Sequence, residues 1–131
     1  MPELPIASIA GKYKILYDRQ MRRKPVEFRG SARDDLCAFP ADARREAGYQ
    51  IDLVQAGGEP DDWKPLSRVG RGAYEIRIRV SDGAFRVVYV AKFEAAIYVL
   101  HCFAKKTQET RDEDIDVAKR RYKDLLKELQ L

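Results

Sequence analysis

The spacing of apolar and polar residues changes along the chain, and these changes predict its elements. Residues 25–29 alternate as a short, half-buried strand does, and Gly30 ends the run. Two helices follow, a short one that ends at Pro40 and a longer one closed by Gly57 and Gly58. The longer helix carries apolar residues at steps of three and four: Ala43, Ala47, Ile51 and Val54. We therefore expect a helical hairpin whose apolar side packs on a sheet.

The second half of the chain is predicted to supply most of that sheet. Residues 59–72 contain the prolines and glycines of a loop. Residues 74–80 then alternate cleanly, whereas 85–91 and 96–103 are apolar on both faces, as central strands are. Asp82-Gly83 has the composition of a hairpin turn. Three consecutive strands are expected here.

The chain ends in a predicted amphipathic helix. Thr110 and Glu113 have the spacing of a capping box. One helical stripe behind it is apolar: Ile115, Ala118, Tyr122, Leu125 and Leu129. The predicted order is β-α-α-β-β-β-α, a small α+β domain with a two-helix hairpin on an antiparallel sheet and a C-terminal helix. We expect residues 24–131 to form this domain and residues 1–23, with two prolines and a basic cluster, to form an N-terminal arm that is either flexible or loosely docked, or a functional basic arm.

Composition narrows the classes of protein to consider. A chain of 131 residues is long enough for one domain, and it has no apolar run that would span a bilayer. The start of the chain lacks the continuous apolar core of a signal peptide, so we expect a soluble cytoplasmic protein. Cys37 and Cys102, 102 − 37 = 65 positions apart, are expected to be buried free thiols. With a single histidine, His101, the chain predicts no metal site and no cofactor.

Positive charge is concentrated in one segment of the chain. The whole chain has 25 Lys and Arg against 21 Asp and Glu, a net charge of +4. Between Lys64 and Lys106 alone there are nine basic and three acidic residues, 9 − 3 = +6. Lys105 and Lys106 directly follow the last strand, while Lys64 and Arg68 lie in the loop before the hairpin. This segment predicts a groove that binds nucleic-acid phosphates.

The hairpin is predicted to place three arginines on one face of the sheet. A two-residue loop at 82–83 pairs Arg79 with Arg86, and Arg77 lies two positions along the same face. Like charges placed opposite each other repel, and phosphate binding between them removes that cost. The alternative is that Glu75, Asp82 or the acidic start of the last helix neutralises the arginines. His101, in an apolar strand, is either a hydrogen-bonded, half-buried residue or a catalytic one.

The order of elements and five short motifs together resemble the RelE/ParE toxin superfamily, and within it the phage-derived, HigB-like branch. The resemblance covers residues 24–130. The motifs that carry it are Trp63-Lys-Pro-Leu66, Tyr74-Glu-Ile-Arg-Ile-Arg79, Phe85-Arg-Val-Val-Tyr89, Val99-Leu-His-Cys-Phe103 and Lys105-Lys-Thr-Gln108.

The resemblance implies the toxin of a type II toxin–antitoxin system. Such a toxin would act as an mRNA interferase, a metal-independent endoribonuclease that cuts mRNA on the ribosome and inhibits translation. Its partners would be the mRNA and a cognate antitoxin, typically a helix-turn-helix protein from an adjacent gene. Two other functions are compatible with the same fold: a ParE-like DNA gyrase inhibitor without catalysis, and a silent phage-derived regulator that binds nucleic acid.

The resemblance also implies roles for individual residues. Arg77 would orient the phosphate or assist deprotonation, Arg86 would stabilise the phosphorane, and Lys106 would stabilise or protonate the leaving oxygen. A tyrosine found in RelE near the start of the last helix has no counterpart here, so its role would be vacant or would pass to His101 or Tyr122. The supporting phosphate contacts would be Lys64, Arg79 and Lys105.

Overall fold

The computed structural model describes residues 23–131 and has the predicted α+β architecture. Its elements are β1 (Val26–Phe28), α1 (Ala32–Cys37), α2 (Ala41–Gln55), β2 (Trp63–Pro65), β3 (Ala73–Val80), β4 (Gly83–Val90), β5 (Ile97–Lys105) and α3 (Asp112–Glu128). The predicted arm lies outside the described residues, apart from Arg23, whose guanidinium contacts Asp52 and Gln55 of α2. None of the helices between residues 23 and 131 has the length and apolar character that a bilayer span requires.

The five strands form one mixed sheet in the order β1-β5-β4-β3-β2. Three neighbouring pairs are antiparallel, but β1 runs parallel to β5, so the sheet is not antiparallel throughout as expected. Strand β2 was not predicted, because two prolines close together give the segment the composition of a loop. Pro65 is tolerated in β2 because an edge strand leaves some backbone positions without a ladder partner.

Both faces of the sheet carry helices. The helical hairpin α1–α2 packs on one face, around a core that includes Ala47, Ile51 and Val87. Helix α3 packs on the other face through Ile115 and Tyr122, which confirms the predicted apolar stripe. Both cysteines are free, and Cys102 is buried as expected, whereas Cys37 is exposed at the end of α1.

The β3–β4 hairpin has a different register from the predicted one. Its loop is Ser81-Asp82, and Gly83 pairs with Val80 as the first residue of β4. Gly83 has a φ of +132°, which a glycine adopts without steric cost, so it completes the reversal from within the strand. Arg86 consequently lies opposite Arg77, while Arg79 lies opposite Ala84. The partner of Arg86 moves by two residues, so all three arginines remain on the same face of the sheet, as predicted.

Candidate nucleic-acid interface

A basic depression lies where the β3–β4 hairpin meets the segment that follows β5. Its volume is about 490 Å³. The residues that line it are Arg77, Arg79, Ala84, Arg86, Lys105, Lys106, Thr107 and Gln108. All the charged residues among them are cationic, and the set contains no carboxylate, imidazole or thiol. Guanidinium and ammonium groups on an open concave surface have the charge and the hydrogen-bond donors that a polyanion requires.

Arg86 is the most firmly held of these cations. Its side chain is 3% exposed, and its Nε atom lies 2.9 Å from Oε1 of Glu75, which is itself fully buried. These two buried groups form an ion pair. Nη1 of Arg86 donates to the carbonyl oxygen of Phe85 at 2.9 Å. Burial lowers the pKa of Arg86, and the charge of Glu75 opposes that shift. The predicted alternative of neutralisation by Glu75 therefore holds for one of the three arginines.

Thr110 connects this ion pair to the end of the chain. Its hydroxyl donates to Oε2 of Glu75 at 2.8 Å. Helix α3 has Arg111 at its N-cap and no hydrogen bond from a side chain there, so the predicted capping box is wrong. The Thr110 hydroxyl instead donates to the buried carboxylate, and a charged acceptor away from water makes a strong hydrogen bond.

The other cations of the depression remain accessible. Arg79 and Lys106 are exposed, and Arg77 is half-exposed with its Nε 4.0 Å from the carboxylate of Asp62. Within residues 23–131, Arg79, Lys105 and Lys106 have no carboxylate within 4.0 Å. Burial, together with the nearby charges of Arg86, Lys64 and Arg77, lowers the pKa of Lys105 from 10.5, although Glu75 opposes this shift. Lys105 therefore releases its proton more readily than a fully solvated lysine.

Two predicted phosphate-binding residues do not line the depression. Arg68 donates to the carboxylate of Asp112 at 2.7 Å on an exposed surface, so the start of α3 neutralises it. Lys64 lies on β2 opposite Glu75, at the side of the same sheet face, and it acts on Lys105 through its charge. Lys64 thus extends the basic surface, whereas Arg68 belongs to a separate ion pair.

The two residues suggested for proton transfer are also set apart from the depression. His101 is buried, with Nε2 2.8 Å from the carboxylate of Asp114 and its ring stacked on Phe103. Tyr122 is a buried residue of α3, and its hydroxyl donates to the carbonyl oxygen of Arg71 at 2.6 Å. Each of these polar groups attaches α3 to the rest of the domain.

Sequence reasoning missed several residues of the site. Ala84 lies opposite both Arg79 and Lys105, and its small side chain leaves room between them. Thr107 and Gln108 line the depression directly after the two lysines. Both belong to the motif Lys105-Lys-Thr-Gln108, but no role was predicted for them. No cluster of three or more potential metal-ligating side chains occurs within residues 23–131.

A comparison with protein-family models matches the part of the chain that contains this depression to a known family. The model described as "Phage derived protein Gp49-like (DUF891)" matches residues 34–123, which extend from α1 into α3 and include every residue that lines the depression. The search of curated proteins found no match to the chain. The family is generally associated with the toxins of toxin–antitoxin systems. Because the match spans more than half of its length, the chain belongs to the phage-derived Gp49-like family.

Proposed function

We propose that this chain is the toxin of a type II toxin–antitoxin system, a HigB-like member of the RelE/ParE superfamily that cleaves mRNA on the ribosome. The observation that carries the proposal is the depression itself, a concave site whose charged lining is entirely cationic. An RNA phosphate has the charge and the oxygen geometry that guanidinium groups bind best. The family match supports the toxin, and the arginine face supports RNA as its target.

The proposed reaction joins the ribose 2′-oxygen to the adjacent phosphorus and breaks the bond from phosphorus to the 5′-oxygen. The products are a 2′,3′-cyclic phosphate and a 5′-hydroxyl. Arg77 and Arg79 orient the phosphate from β3, and Arg86, fixed by its surroundings, stabilises the negative charge that accumulates on the phosphorane. The reaction needs no redox partner, since one P–O bond replaces another.

The two protons of this reaction are assigned as follows. Lys105, rather than Lys106 as the sequence implied, gives its proton to the leaving 5′-oxygen, because it lines the depression at the end of β5 and its pKa is lowered by burial and by neighbouring cations. The more exposed Lys106 contacts phosphate. The 2′-hydroxyl loses its proton to solvent hydroxide, since no carboxylate or imidazole lines the depression. The surrounding cations favour this step by stabilising the resulting alkoxide.

Induction in bacterial cells that lack an antitoxin tests this function. Wild-type protein should stop translation and leave mRNA 5′ ends spaced by codons, as mapped by sequencing. The double variant Arg77→Gln/Lys105→Met should leave the transcripts intact. Arg68→Gln is the matched control, because it removes a cation that is paired outside the depression, and it should arrest growth like the wild type.

Other outcomes would reject the proposal. Intact transcripts during growth arrest would exclude cleavage, and a DNA-damage response with trapped gyrase would identify a ParE-like inhibitor instead. Unchanged growth on overexpression would favour a regulator that has no catalytic activity.

The same depression is the proposed binding surface for the antitoxin. An acidic segment laid across it would neutralise the accessible cations and block RNA at the same time. Co-expression with the product of the neighbouring gene should give a complex that protects Lys105 and Lys106 from amine-reactive reagents. If that product does not co-purify, this assignment is wrong.

A further inference from the structure

The ion pair beneath the depression joins three separate parts of the fold. Glu75 on β3 is fully buried, and its two carboxylate oxygens contact Arg86 on β4 and Thr110 just before α3. A buried pair of this kind adds little to stability, because desolvation of both charges offsets their attraction. Its position below the depression therefore suggests a function other than stabilisation.

Arg86 also keeps most of its hydrogen-bonding capacity unused. A guanidinium has five N–H donors, and the protein acceptor that Arg86 uses within residues 23–131 is the Phe85 carbonyl. Its Nε atom lies 2.9 Å from Oε1 of Glu75, so the donors that remain are on the Nη atoms. Because Arg86 lines the depression, these Nη donors can bind an anionic ligand there.

We infer that Glu75 is a positioning residue for the proposed cleavage: it holds the Arg86 guanidinium where the phosphorane forms, and its charge weakens the attraction of Arg86 for the phosphate of intact RNA. The inference rests on the proposed function. Thr110 contributes by fixing the carboxylate of Glu75 from the opposite side. An arginine held in this way stabilises the transition state without adding equally to the binding of intact RNA.

Replacement of the carboxylate by an amide separates positioning from simple structural support. In Glu75→Gln the side chain keeps its size, and Thr110 can still donate to the amide oxygen, but Arg86 loses its counterion. The freed guanidinium should bind the ground-state phosphate, so kcat on programmed ribosomes should fall by about 10- to 100-fold while KM stays equal or falls. Because a partly unfolded variant would also lower the apparent kcat at unchanged KM, circular dichroism is measured to show that Glu75→Gln is folded.

Thr110→Val provides a second test in case the charge-neutral variant does not fold. This change keeps the shape of the side chain and removes its hydrogen bond to Glu75. We expect kcat to fall by about two- to fivefold with KM unchanged. Values of kcat and KM within twofold of the wild type in every folded variant would overturn the inference, as would a rise in KM at constant kcat.

RNA binding tests the inference independently of cleavage. The affinity for a single-stranded 2′-O-methyl oligonucleotide, which cannot be cleaved, is measured by fluorescence anisotropy over a range of salt concentrations. Because Arg86 gains a free charge in Glu75→Gln, the slope of log K against log salt should steepen by about 0.7. Glu94→Gln makes the same change in net charge at an exposed site in the β4–β5 loop, and its slope should match the wild type.

The outcomes distinguish the two proposals. A slope for Glu75→Gln equal to that of Glu94→Gln would refute the effect of Glu75 on the charge of Arg86, whereas positioning is decided by kcat and KM. A wild-type protein that binds the oligonucleotide but leaves mRNA intact would refute the proposed cleavage. In that case the salt slope would still show whether Glu75 cancels the charge of Arg86.

Discussion

If RNA binds the depression as proposed, the salt dependence of its affinity follows from which of the cations there are already paired with a carboxylate. The charge of Arg86 is offset by its ion pair with Glu75. Four accessible cations remain in the lining: Arg77, Arg79, Lys105 and Lys106. Each phosphate neutralised on a single strand contributes about −0.7 to the slope of log K against log salt, so four contribute about −2.8. Between about 50 and 200 mM salt the affinity should then fall by about 50-fold.

Two single substitutions make this prediction specific to the depression. Arg79→Gln removes an exposed, unpaired cation and should reduce the slope by about 0.7. Arg68→Gln removes a cation that already has a carboxylate partner outside the depression, and it should leave the slope unchanged. The assay is fluorescence anisotropy of a labelled, uncleavable RNA strand. A wild-type slope shallower than about −1, or equal effects of the two substitutions, would refute the assignment of RNA to this surface.

Three further predictions concern stability, proton binding and thiol chemistry. Arg86→Met should lower the free energy of unfolding in urea by about 3–5 kcal/mol because it leaves Glu75 buried without a counterion. The double variant Glu75→Leu/Arg86→Met should return to within about 2 kcal/mol of the wild type, and additive losses would contradict this. The pKa of Lys105 is lowered in the folded state, so between the folded pKa and 10.5 the unfolded chain binds more protons, and Lys105 should make the free energy of unfolding rise with pH in that range. Urea unfolding of Lys105→Met over the same pH range should lack this rise. An equal rise in both proteins would refute the lowered pKa of Lys105. Cys37 should react with iodoacetamide in the native protein whereas Cys102, whose pKa burial raises to about 12, should react only after unfolding; mass spectrometry that shows both labelled in the native protein would disprove this.

Side-chain periodicity predicted most of the fold, because it depends on which positions are buried. The apolar side of α2 and the stripe on α3 were both identified from residues such as Ile51 and Ile115, and both pack as expected. Periodicity does not specify which strands pair or in which direction. The parallel pairing of β1 with β5, at a large separation in sequence, was therefore missed, as was the short edge strand β2.

The sequence predicted which cations share one face of the sheet, but not which of them is paired with a carboxylate. Alternation along β3 correctly placed Arg77 and Arg79 on one face with Glu75, because a register error of two residues preserves the face. It could not show that Glu75 would be fully buried against Arg86 while Arg79 stayed exposed. That difference comes from the burial of the sheet face near α3, which is a property of the packed domain. Thr110 shows the same limit, since its capping pattern is local whereas its actual partner lies on β3.

The arrangement also explains how a sheet can keep two arginines directly opposite each other before any ligand is bound. Arg77 and Arg86 are cross-strand neighbours, and such like-charge pairs cost up to about 1 kcal/mol. Glu75 offsets the charge of Arg86 from inside the sheet, so the repulsion that remains is among cations at the surface. A polyanion relieves that remaining repulsion. RNA and an acidic antitoxin segment would therefore stabilise the fold through the same cations, and each would bind only when the other is absent.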